Sequence, residues 1–109
     1  MARKKLPATR KGKTYTMKLG NVVAEFTVNK DEDGWPREVI CKCNEGYQGH
    51  IDGMCIVSSL AMQENREVVK LIIKHLRYRN FPPFGNAGQP KSLSDALAIV
   101  LEKCIPEEK

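Results

Sequence analysis

The chain has 109 residues, 41% of them hydrophobic, and a formal net charge of +5, enough for one domain with a single modest core. It has no long apolar run and no signal-peptide pattern, which excludes a membrane-spanning reading and predicts a soluble, intracellular protein. The charge is unevenly placed: residues 1–20 hold seven Lys or Arg and no acid, while residues 21–109 hold eleven basic against thirteen acidic ones.

The basic excess (Arg3, Lys4, Lys5, Arg10, Lys11, Lys13 and Lys18) is concentrated in residues 1–13, which read as a flexible arm. Such an arm either solubilises the chain or touches nucleic acid through phosphate contacts that any sequence can supply. Nothing aromatic is interleaved before Tyr15, and no groove-reading motif follows. The body, residues 14–109, reads as one domain.

Period two then runs through three successive segments. Tyr15, Met17 and Leu19 alternate on one face, as do Val22, Ala24, Phe26 and Val28, and then Val39, Cys41 and Cys43. These are strand signals. The link "LGN" is hairpin-short and "NKDEDGWP" carries an Asp-Gly turn, so the first half is expected to be an antiparallel meander of three strands.

The period changes in the second half. Ile51, Met54, Cys55, Ser58 and Met62 fit one helix face between residues 51 and 63, and Val68, Val69, Ile72, Ile73 and Leu76 make a second stripe from residue 66 onward. A third helix is marked by Leu93, Ala96, Leu97, Val100, Leu101 and Cys104 at i, i+3, i+4 spacing. Ser92 with Asp95 has capping-box spacing at its start, and Pro106 stops it. Strands followed by helices predict a two-layer α+β fold.

The four cysteines, Cys41, Cys43, Cys55 and Cys104, fall on apolar faces of these elements. Without a secretory signal they are not expected to form disulfides. "CKC" has the wrong spacing for a zinc knuckle, although His50 and His75 make a metal site conceivable. Free cysteine packs as a small hydrophobe, so the expectation is four structural thiols and no metal.

Two stretches stand out as candidate sites. In "NEGYQGHIDGM", Gly46 and Gly49 would let backbone approach a ligand ahead of a helix N-terminus that offers free N–H groups to an anion. Tyr47, Gln48 and His50 add stacking and hydrogen-bonding groups. A tight strand-to-helix turn needing glycine at positive φ explains the same pattern. In "NFPPFGNAGQPKSLSDAL", Phe81 and Phe84 flank a Pro-Pro pair, and Asn86, Gln89 and Lys91 supply amides and a cation. Aromatic faces, amide edges and a cation suit a nucleobase and its phosphate. The alternative is a loop whose phenylalanines seal the two layers. Upstream, "KHLRYRN" contributes His75, Arg77, Tyr78 and Arg79. No grouping of nucleophile and base, and no paired-acid motif, carries a catalytic signature, so a binding protein without a cofactor is expected rather than an enzyme.

Taken together, "EDGWPREV", "GYQGHIDGM" and "SLSDALAIVLEK" resemble the TSCPD domain over roughly residues 14–104, with "SLSD" standing in place of the namesake segment. That domain is known as a C-terminal module of vitamin B12-dependent ribonucleotide reductases and as small stand-alone proteins, including phage proteins. The resemblance implies a link to nucleotide metabolism in the cytoplasm of a bacterial or phage-infected cell. Three functions follow as expectations. The first is a non-catalytic binder of a nucleotide-like ligand, by analogy a sponge for a cyclic nucleotide signal in anti-defence. The second is an accessory module of ribonucleotide reductase, and the third a nucleic-acid binder acting through the basic arm. Three strands make a narrow sheet whose edges need cover, so a homo-oligomer is expected, with Arg77, Arg79 and the loop meeting at the subunit boundary.

Overall fold

The computed structural model describes residues 11–106. Strand β1 spans Lys11–Leu19, β2 Val22–Lys30 and β3 Pro36–Cys43. Helix α1 spans Gln48–Glu64, α2 Val68–Leu76 and α3 Leu93–Cys104. The strands form one antiparallel sheet in the order β1-β2-β3, the expected meander in an α+β fold. Because β1 begins at Lys11, positions 11–13 of the expected arm belong to the sheet. Its first ten residues lie outside the described residues.

The alternating apolar rows lie on one face of the sheet, as their spacing predicts. Tyr15 stands opposite Phe26, Phe26 opposite Cys41, and Val28 opposite Val39, so one face of the sheet is a continuous apolar surface. Phe26, Ala24 and Val28 on it are fully buried. Helix α1 packs along β3, α3 lies against β1 and β2, and α2 covers α3. Helix α3 departs from the single apolar stripe that its spacing predicts. Ser94, Asp95 and Ala98 are buried together with its leucines, and only Glu102 and Lys103 are exposed. A helix enclosed on most sides buries polar residues as well, and these are hydrogen-bonded: Ser94 Oγ to Met54 Sδ, and the Asp95 carboxylate to its donors.

Side chains of α1 close the outer edge of β3. Ser59 Oγ accepts from the Val39 N–H at 3.0 Å and donates to the Val39 carbonyl at 3.1 Å. Gln48 does the same one turn of the ladder away, accepting from the Cys43 N–H at 2.7 Å and donating to the Cys41 carbonyl at 2.7 Å. An edge strand left unpaired invites another chain, and here two polar side chains occupy its backbone groups.

The β2–β3 turn is organised by buried Asp31. Its carboxylate accepts from the N–H groups of Asp33 and Trp35 and from Arg37 Nε, and Arg37 Nη1 donates to the Met62 carbonyl of α1. Burial would raise the Asp31 carboxyl, but the Arg37 hydrogen bond and the two backbone donors outweigh it and hold the group below its ordinary value.

Candidate functional site

The segment between α2 and α3 is held by two polar side chains. Gln89 Oε1 accepts from the N–H groups of Gly20 and Asn86, both at 2.8 Å, fastening the loop to the β1–β2 turn. Gly85 lies so close to the Pro90 carbonyl that a β-carbon there would collide with it. Asp95 is the second fastener. Its carboxylate accepts from Arg77 Nη1 at 2.6 Å, the Tyr78 N–H at 2.8 Å and the Lys91 N–H at 2.9 Å. Ser92 Oγ caps α3 by accepting from the Asp95 N–H and donates to the Arg79 carbonyl. The spacing predicted a reciprocal capping box; instead, the Asp95 carboxylate turns away to gather the end of α2 and the start of the loop.

Asp95 is 2% exposed. Burial would raise its carboxyl, and the donors from Lys91, Tyr78 and Arg77 more than reverse this, keeping it ionised and below the usual carboxylate value. Burial would likewise lower the Arg77 guanidinium, and the Asp95 charge raises it. Arg77 Nε is buried and has no hydrogen-bond acceptor. Tyr78 sits at φ +66°, a left-handed conformation that is strained for a bulky residue. The Asp95 hydrogen bond to its N–H fixes it there. Tyr78 as a residue is 66% exposed, and the Arg77 guanidinium lies over one face of its ring, 4.2 Å from the centroid.

These residues border an open hollow of about 480 Å³, within the size range of small-molecule sites. Arg77 and Tyr78 line it from the end of α2, Lys91 from the loop, Ile99 and Lys103 from α3, and Met17 from β1. Three cations and one exposed aromatic ring face the hollow. Asp95, which also lines it, is occupied by its three donors.

The twelve residues singled out in the sequence do not form one site. Arg77, Gln89 and Lys91 meet at the hollow, but Gln89 spends its carbonyl oxygen on the loop itself. Arg79 lies at the C-terminal end of α2, its Nε donating to the His75 carbonyl at 2.8 Å. Phe84 and Asn86 sit near the β1–β2 turn, outside the hollow's lining, with Phe84 56% exposed. Phe81 is half-buried and meets His50 edge-to-face at 6.3 Å, so two of the expected groups touch each other.

The expected glycine loop is mostly helix. Gln48, Gly49 and His50 form the first turn of α1, three residues earlier than the periodicity indicated, with Tyr47 as its N-cap. Gly46 has φ +80°, the conformation required by the turn reading. Gln48 is committed to β3 and to Asp52 Oδ1 at 2.6 Å. Lys103, Ile99 and Met17 were not singled out, since nothing local marks residues that converge from separate elements.

Cys41, Cys55 and Cys104 are buried, and Cys43 is half-buried. Burial pushes the Cys41 and Cys55 thiols up to about 12. Among the described residues no three of His, Cys, Asp or Glu come together as a metal site would require, and no helix is long and apolar enough to cross a membrane.

No curated protein and no solved structure matches the chain. The family model of the TSCPD domain matches residues 2–105, which is nearly the whole chain, and the protein therefore belongs to the TSCPD domain family.

Proposed function

We propose that this protein is a non-catalytic binding module for a nucleotide-like ligand, an anion joined to a flat ring, held in the hollow between β1, the end of α2 and α3. The lining carries the reading: Arg77, Lys91 and Lys103 supply positive charge, and Tyr78 offers a ring face in water. Cations that meet phosphate beside an aromatic that stacks on a base are the usual elements of nucleotide capture. The strained backbone of Tyr78 supports the reading, because such strain concentrates where a side chain must be presented in a set direction. Binding rather than proton transfer fits the state of Asp95, the carboxylate in the lining, which is ionised and has three donors.

The test is thermal stabilisation by a panel of mononucleotides and cyclic mono- and dinucleotides, with ribose 5-phosphate and inorganic phosphate as ring-free controls. A ligand at about a hundred times its Kd should stabilise the fold by ~2.7 kcal/mol. Tyr78→Ala should weaken binding by about 1–3 kcal/mol, the range for a stacking aromatic, whereas Phe84→Ala should leave it unchanged. The reading fails if no nucleotide stabilises the protein, or if inorganic phosphate does so equally well. The same panel ranks the finer form of the proposal, capture of a cyclic nucleotide signal, against plain mononucleotide binding.

A further inference from the structure

We infer that the outer face of α1 and α2 is the interface of a two-fold dimer and is covered by the same face of a second copy of this chain. Helix α1 is apolar on two sides. One side, with Ile51, Cys55 and Met62, is buried. On the other, Ile56, Val57 and Leu60 are 59%, 67% and 45% exposed, and Leu71 of α2 is 55% exposed beside them. Four of the seven large hydrophobics exposed among the described residues therefore fall on these two helices rather than being scattered. Between the helices runs an open trough of about 540 Å³, lined almost wholly by apolar atoms of Gly53, Met54, Val57, Leu71, Ile72 and Leu76.

The charges on this face identify the occupant. Helix α1 carries Asp52 and Glu64 and no Lys or Arg, whereas α2 carries Lys74 and also Lys70, which is paired with Glu67 at the helix N-cap at 3.1 Å. Asp52 stands four residues before Ile56 and Glu64 four residues after Leu60, so acids bracket the apolar ridge. Lys74 stands three residues from Leu71, on the same side of α2. A two-fold interface must be complementary to itself. An acid-bracketed ridge next to a base-flanked trough meets that condition, because the ridge of each copy can enter the trough of the other with unlike charges facing. An unrelated partner would have to match both signs in this arrangement, which a second copy supplies by symmetry, and an anionic membrane would be repelled by the acidic ridge. Close approach is possible at Gly49 and Gly53, one turn apart on α1, where an added β-carbon would meet nothing within 4 Å.

The measurement is the solution mass of the full chain by sedimentation velocity across a dilution series. The expected species has twice the 12.3 kDa of one chain. Val57→Asp should weaken association by about a hundredfold or more, and Leu71→Ser by about tenfold. Ile40→Asp, on the outer face of the sheet at a position also in water, should leave it unchanged. A wild-type monomer at ~100 μM, well above the Kd of a specific dimer, overturns the inference. So does a dimer that ignores both α1 and α2 substitutions, or one that Ile40→Asp dissociates. If Val57→Asp does not fold, as read by circular dichroism, Leu71→Ser decides, because it introduces no charge and lies on the other helix of the face. None of these outcomes depends on a nucleotide, so the interface and the ligand site stand or fall separately.

Discussion

Replacing Asp95 with alanine is the sharpest test of how the hollow is built. The substitution removes one acceptor from three donors: Arg77 Nη1, the Tyr78 N–H and the Lys91 N–H. Hydrogen bonds to a charged acceptor contribute roughly 1.5–3 kcal/mol each. Arg77 is 25% exposed at its side chain, so its charge recovers water and adds little to the loss. The two backbone donors belong to exposed residues and are taken at the low end of the range. The sum is about 3 kcal/mol, at the lower edge of what breaking a buried ion pair costs. For a domain of this size that corresponds to a fall in Tm of roughly 12–24 °C. Urea unfolding of both proteins, with the slope unchanged, gives the difference directly. Asp95→Asn keeps the shape and one acceptor oxygen and should lose about 2 kcal/mol, less than alanine. Arg77→Met should cost less again, because Asp95 keeps its two backbone donors, and the double variant should fall short of the sum of the singles. A loss below ~1 kcal/mol in Asp95→Ala, or strict additivity with Arg77→Met, would refute the reasoning.

Two further outcomes are expected. Asp31 and Asp95 both have lowered folded-state pKa values; their stabilisation is complete above the unfolded carboxylate value of about 3.9 and is lost as pH falls through the lower folded values. Tm should therefore hold from neutral pH down to about 5 and drop steeply below about 4, with a shallower drop in a variant carrying Asp31→Asn and Asp95→Asn; parallel curves would contradict this assignment. Gln48→Ala strips the Cys43 N–H and the Cys41 carbonyl of their partner on the outer edge of β3 and should cost about 1–2 kcal/mol. The Cys43 amide should then exchange hydrogen faster, and unchanged protection there would mean that the edge is not held by Gln48.

The parts of the fold that were legible in the sequence rest on side-chain periodicity. Tyr15 and Phe26 alternate with polar neighbours, Cys41 lies between outward-facing Ile40 and Lys42, and the three meet across the sheet, because a one-residue slip would turn each row to water. The ends of α3 were legible because Ser92 and Pro106 mark them chemically. The start of α1 was not: Gly49 lowers helix propensity, and the gain that offsets it, Gln48 bonding to β3, is a tertiary contact. The same limit governs the candidate site. Gln48 and Gln89 have the composition of ligand-reading amides, but whether an amide faces a ligand or its own backbone depends on which elements fold together. Arg77 and Lys91 were found because they lie near an aromatic, proline-rich loop. Lys103 was not, because it reaches the hollow from the far end of a helix that looked purely structural.

The segment "SLSD", residues 92–95, sits where the end of α2, the loop and the start of α3 join. Ser92 caps α3 and binds the Arg79 carbonyl, while Asp95 binds Arg77, Tyr78 and Lys91. None of these contacts needs a reactive side chain. What they need is a small hydroxyl at the N-cap and a short carboxylate three residues later; a longer Glu would push its carboxylate past the Tyr78 N–H. On this view the segment positions other residues, and the proposed ligand contacts are made by what it positions. Asp95→Ala should therefore weaken ligand binding by at least as much as Tyr78→Ala, since it frees both the ring and the guanidinium stacked on it. If Asp95→Ala binds normally while folded, the hollow does not depend on the segment for its shape.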